Sequence, residues 1–106
     1  MISVNKFYGG SKNLALAADR MLHPGEARVY YHSSGNFEYL LPQGNAPGVF
    51  PGGPVLIIIN ASGALRTIKD YLGNAITTMA NGTAATICLV RGTTTGIWSI
   101  DIRPLI

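Results

Sequence analysis

Near the end of the chain Trp98, Ile100 and Ile102 alternate with Ser99, Asp101 and Arg103. A two-residue period puts one set on a core and the other in water, so 96–103 reads as a half-buried strand. Residues 55–60, Val-Leu-Ile-Ile-Ile-Asn, follow a different rule, with apolar side chains on both faces. Such a strand needs cover on its second face as well. In a small chain that cover is expected from another subunit or from the chain's own amino-terminal arm. Shorter runs at 27–33, 37–42, 64–70, 74–80 and 83–91 have strand composition and are separated by turn-forming residues. Ser34-Gly35-Asn36 is of hairpin length, so 27–33 and 37–42 are expected to pair with each other. Ala61-Ser62-Gly63, Gly73 and Asn81-Gly82 mark further turns, and Asp70 suits a turn because its carboxylate can bond its own backbone.

Seven or eight short strands with turns every 8–12 residues predict an all-β fold, a jelly-roll-like antiparallel β-sandwich. No long helical period separates the strands and no solenoid-length repeat is evident. Residues 43–54 hold four glycines and three prolines and read as a loop. Residues 13–22 are either a short helix stopped by His23-Pro24-Gly25 or an extended segment, and 1–13 read as an extended arm. The expected organisation is an arm or short helix over 1–22 and one sandwich domain over 23–106.

Composition sharpens this picture. The chain has 106 residues, of which 47% are hydrophobic and 12% charged. Typical domains carry about 25% charged residues, so part of this surface is expected to lie in a complex. The net charge of +3 comes from scattered lysines and arginines with no basic cluster, which argues against nucleic acid as a partner and suits an acidic protein surface. No stretch has the length of a membrane span or of a signal-peptide core, so a chain made in a cytoplasm, which stays there or leaves by lysis and has no membrane partner, is expected.

Chemistry is sparse. Cys88 is the one cysteine and reads as a packed strand residue. His23 reads as a loop residue and His32 ends a strand, with no second ligand at metal-binding spacing beside either. The five acids, Asp19, Glu26, Glu38, Asp70 and Asp101, are far apart, and no phosphate-binding, dinucleotide or nucleophile motif is present. No enzyme activity, metal or cofactor is expected.

The segments "PGGPVLIIINASG", "IKDYLGNAI", "ANGTAATICLV" and "GIWSI", with "ARVYYHSSGNFEYLLP" upstream, resemble small β-proteins of tailed-bacteriophage virions, the head decoration (cement) family in particular. That resemblance covers roughly 18–102. It implies a sandwich assembled as a homotrimer that sits on the capsid surface and bridges major capsid proteins. A tail-fibre or tail-tip module recognising a host surface or glycan is the alternative, with Tyr8, Tyr30 and Tyr71 as its candidate aromatics. Read as complete from Met1 and without a repetitive shaft, the chain fits the cement class better. On this reading Leu56 and Ile58 are the expected trimer interface, and Lys6, Phe7, Tyr8 and Lys12 the capsid-docking arm.

Overall fold

A computed structural model describes residues 11–13 and 20–105. Its elements are all strands: β1 (Ser11–Asn13), β2 (Arg20–Met21), β3 (Val29–His32), β4 (Tyr39–Leu40), β5 (Pro54–Asn60), β6 (Arg66–Lys69), β7 (Ala75–Met79), β8 (Thr83–Arg91) and β9 (Ile97–Pro104). They form two mixed sheets. One has the order β1-β3-β5-β8-β9 and the other β2-β4-β6-β7. Without the short strands β1 and β2 these are sheets of four and three strands.

The connectivity departs from consecutive antiparallel hairpins. From β1 to β6 the chain alternates between the sheets. Each strand pairs in parallel with the one two elements later: β1 with β3, β3 with β5, β2 with β4 and β4 with β6. The expected hairpin of 27–33 with 37–42 therefore does not form. Ser34-Gly35-Asn36 turns the chain from one sheet into the other, as does 61–65. The result is a stack of rungs, closed by antiparallel pairing of β7 on β6, of β8 on β5 and of β9 on β8. Of the two readings of 13–22, short helix or extended segment, the described residues follow the extended one: Asn13 lies in β1 and Arg20 and Met21 in β2.

Register exposes a repeat that composition hides. Val29, Tyr30, Tyr31 and His32 pair with Ile57, Ile58, Ile59 and Asn60, a step of 28 residues. Tyr39 pairs with Ile68, a step of 29. The segments Val-Tyr-Tyr-His-Ser-Ser-Gly-Asn and Ile-Ile-Ile-Asn-Ala-Ser-Gly-Ala are thus structural equivalents. Their corner glycines, Gly35 and Gly63, have φ of 93° and 94°. A side chain strongly disfavours that left-handed backbone, so glycine is what lets each rung turn in the same way.

The core lies between the sheets. Tyr30, Leu56, Ile58, Ala85, Ile87 and Leu89 face Leu22, Phe37, Tyr39, Leu41, Ile68 and Met79. Trp98, Ile100 and Ile102 share the core-facing side of β9, as their alternation predicts, but are only partly buried because β9 is a sheet edge. The Trp98 indole donates to the Thr95 carbonyl at 2.9 Å. The loops 43–50 and 92–96 interlock at one end, where Gly44 donates its N–H to the Thr94 carbonyl at 3.0 Å.

Candidate functional site

The two rung corners, 33–36 and 61–65, lie together at one end of the stack and hold its buried polar groups. His32 and Asn60 occupy equivalent positions, and both side chains are fully buried. His32 Nε2 is 2.9 Å from the Gly35 carbonyl and Nδ1 is 2.7 Å from the Tyr39 hydroxyl. A carbonyl only accepts, so Nε2 carries the proton and Tyr39 donates to Nδ1. The ring also lies 4.0 Å from the centre of the Phe37 ring. Burial pushes the His32 pKa below its ordinary value, partly offset by the Gly35 carbonyl, and burial pushes the Tyr39 hydroxyl upward. The imidazole is therefore neutral.

Asn60 closes its own corner. Its amide donates to the Ala64 and Met79 carbonyls at 2.9 and 3.0 Å. Its Oδ1 accepts from the Ser62 N–H and hydroxyl at 3.1 and 2.7 Å. Arg66, 7% exposed, ties the two corners together. Nε donates to Ser62 Oγ of the second corner, while the terminal nitrogens donate to Asn36 Oδ1 and the Gly35 carbonyl of the first. Glu38 accepts from the Thr67 N–H across the same gap. Among the described residues no buried side-chain N or O lacks a partner. This cluster spends its hydrogen-bonding capacity on holding stacked rungs together. The described residues contain no group of three or more metal-ligating side chains.

The surface most suited to meeting a partner is the outer face of the five-stranded sheet. In register across β3, β5, β8 and β9 run Val29, Ile57, Thr86 and Asp101, and beside them Tyr31, Ile59, Ala84 and Arg103. Tyr31 is 41% exposed, and Val29, Ile57 and Ile59 are partly exposed. An apolar patch thus occupies the middle of the sheet, with an ion pair between Asp101 and Arg103 at 3.1 Å on its rim. A hollow lined by Arg28, Val29, Pro54, Val55, Leu56 and Ile57 opens beside it.

Leu56 and Ile58, expected at a subunit interface, lie in the core of the single chain, 1% and 0% exposed. An irregularity between Pro54 and Leu56 lets Val55 and Leu56 both turn inward, after which alternation leaves Ile57 and Ile59 outside. The second face of the two-faced strand exists, but these two isoleucines form it. Of the expected docking arm, Lys6, Phe7 and Tyr8 fall outside the described residues, and the Lys12 backbone pairs with Tyr30 through β1. Of the candidate aromatics, Tyr8 lies outside the described residues, and Tyr30 and Tyr71 do not form a surface cluster. Tyr30 is fully buried, its hydroxyl 2.8 Å from Glu26 Oε1 and 3.0 Å from the His23 carbonyl, and Tyr71 sits in the turn between β6 and β7. No protein-family model, curated protein or solved structure matches the chain.

Proposed function

We propose that the chain is a structural virion protein of the tailed-phage decoration type, which docks on a shell of major capsid protein. The observation that supports this reading is the partly exposed row Val29, Tyr31, Ile57 and Ile59 at the middle of the five-stranded sheet. Contiguous apolar surface of this kind marks association sites, and the basic balance suits an acidic partner surface. A homotrimer built on Leu56 and Ile58 is not open to this fold, so self-association must use another surface.

The parallel rungs support a second reading, a module of a tail fibre or tail tip, because rungs stack along one axis as a fibre does. Cryo-electron microscopy of the source particle separates the two by locating the chain on shell or tail. A shell-binding assay then tests the face. Ile57→Ser with Ile59→Ser should leave the protein folded and abolish capture by shells; capture at the unmodified level would refute docking through this face.

A further inference from the structure

The edge of the five-stranded sheet at β9 is unpaired among the described residues. Which backbone groups it presents follows from three hydrogen bonds. Leu105 donates its N–H to the Gly82 carbonyl at 2.8 Å, so at position 105 the backbone points toward β8. Strand backbones alternate, so Arg103, Asp101 and Ser99 also point toward β8, while Trp98, Ile100, Ile102 and Pro104 point to the open side. The same parity carried across β8 predicts that odd-numbered residues of β5 bond toward β3. They do: Ile57 donates to the Arg28 carbonyl at 2.7 Å and Ala61 to the His32 carbonyl at 2.9 Å.

Pro104, which has no N–H to give, therefore stands where its nitrogen faces outward and costs the β8 ladder nothing. The open edge offers the N–H and C=O of Trp98, Ile100 and Ile102, and the C=O of Pro104. On the solvent face of the same strand stand Asp101 and Arg103, 61% and 77% exposed in their side chains.

We propose that two copies of the chain pair β9 against β9, antiparallel, about a two-fold axis at Ile102. Outward-pointing residues must pair with outward-pointing residues, which leaves few registers. With the axis at Ile102, each Ile102 exchanges both backbone bonds with its mate, and each Ile100 donates to the partner's Pro104 carbonyl. Asp101 then lies opposite the partner's Arg103, and Arg103 opposite the partner's Asp101. An axis at Asp101 sets the two aspartates against each other. An axis at Ile100 leaves Arg103 opposite the partner's Ile97, with no countercharge. Opposite charges directly across an antiparallel pair favour it and like charges oppose it, so this strand's own charges select the Ile102 axis. The dimer would fuse the two five-stranded sheets edge to edge, and the outer apolar rows of both copies would lie on one continuous surface. This pairing is independent of the virion role.

Sedimentation equilibrium of the full chain over a range of concentrations tests it, with two variants at solvent-exposed positions. The unmodified protein should show a monomer–dimer equilibrium. Asp101→Arg sets arginine opposite arginine twice and should raise the dissociation constant by more than about tenfold. Asp101→Arg with Arg103→Asp restores opposite charges in the same register and should restore dimerisation. Amide exchange gives an independent readout: the Ile100 and Ile102 amides should gain protection with concentration, while those of Asp101 and Arg103 stay protected throughout. A monomer at every concentration, a trimer, or a dimer indifferent to both variants would overturn the proposal.

Discussion

Asn60 is the side chain whose loss the structure makes most costly for its size. Replacing it with alanine removes two donated and two accepted hydrogen bonds. They do not count equally. Ala64 is exposed and Ser62 partly so, and water can replace Asn60 for both. The Met79 carbonyl belongs to a buried residue at the end of β7 and would be left without this donor. Each bond contributes about 0.5–1 kcal/mol net, the one to the buried carbonyl at the upper end of that range, so the four together contribute about 2–4 kcal/mol. The expected loss for Asn60→Ala is therefore about 2–4 kcal/mol, a large part of the 5–15 kcal/mol typical of a domain. At about 4–8 °C per kcal/mol, the melting temperature should fall by at least about 8 °C. Asn60→Asp keeps the shape but points a carboxylate at the Met79 carbonyl. Burial and that carbonyl favour the protonated acid, so the folded-state pKa lies above the unfolded value of about 3.9. The folded state then binds more protons than the unfolded one, and stability declines as pH rises through this interval. Measured against the unmodified protein at the same pH, Asn60→Asp should be at least as damaging as alanine at pH 7 and should recover toward pH 4. Urea denaturation followed by circular dichroism gives both numbers. An alanine variant within about 0.5 kcal/mol of the unmodified protein, or an aspartate variant whose deficit ignores pH, would show that this bond network does not hold the corner.

Three further outcomes follow from the same structure. Ile58→Ala should cost about 2–5 kcal/mol and Ile57→Ala less than about 1.5 kcal/mol, because the first empties the core and the second trims a partly exposed face; equal losses in a denaturant titration would contradict the facing of β5. His32 is held neutral by burial, so its stabilising contribution is complete above its unfolded pKa of about 6.5 and is lost as pH falls below it; His32→Gln should flatten the thermal stability profile in that interval. A methyl group at Gly44 would lie 2.4 Å from the Thr93 carbonyl oxygen and 2.6 Å from Gly96 Cα, so Gly44→Ala should part the interlocked loops at a cost of about 1–3 kcal/mol, visible as faster amide exchange at Thr94 to Gly96.

Strand positions were legible in the sequence because alternation and turn residues act locally. Trp98, Ile100 and Ile102 face inward, and Asp70 does cap its turn, accepting from Leu72 and Asn74 N–H groups at 2.9 Å. Facing at 55–59 was not legible, because five apolar residues in a row carry no parity and the irregularity after Pro54 sets it. Pairing was hidden for another reason. Alternation reports which side of a strand is buried, whereas the neighbour of β3 is chosen by a register with residues 28 positions away. The repeat that would have revealed it shares only Ser-Gly at its corners and exchanges His32 for Asn60. The polar cluster was missed with it. His32, Asn60 and Arg66 look like residues for water until the fold supplies their partners, from their own turns for His32 and Asn60 and from the adjoining rung for Arg66.

The stack also imposes an order of assembly on a chain made from its amino-terminal end. β8 and β9 are joined by the short segment 92–96, and β6 and β7 by 70–74, so these pairs can close as soon as they exist. β3 and β4 have no such neighbour. Their later partners, β5 and β6, arrive only after the intervening loop, and the inward faces of Tyr30 and Tyr39 gain their full cover only when β8 is in place. On the ribosome the first half of the chain therefore waits, with aromatic side chains uncovered, for the second half to be translated. Nascent chains arrested before β8 should remain open to protease across 27–42, and protection there should appear abruptly once β8 has emerged.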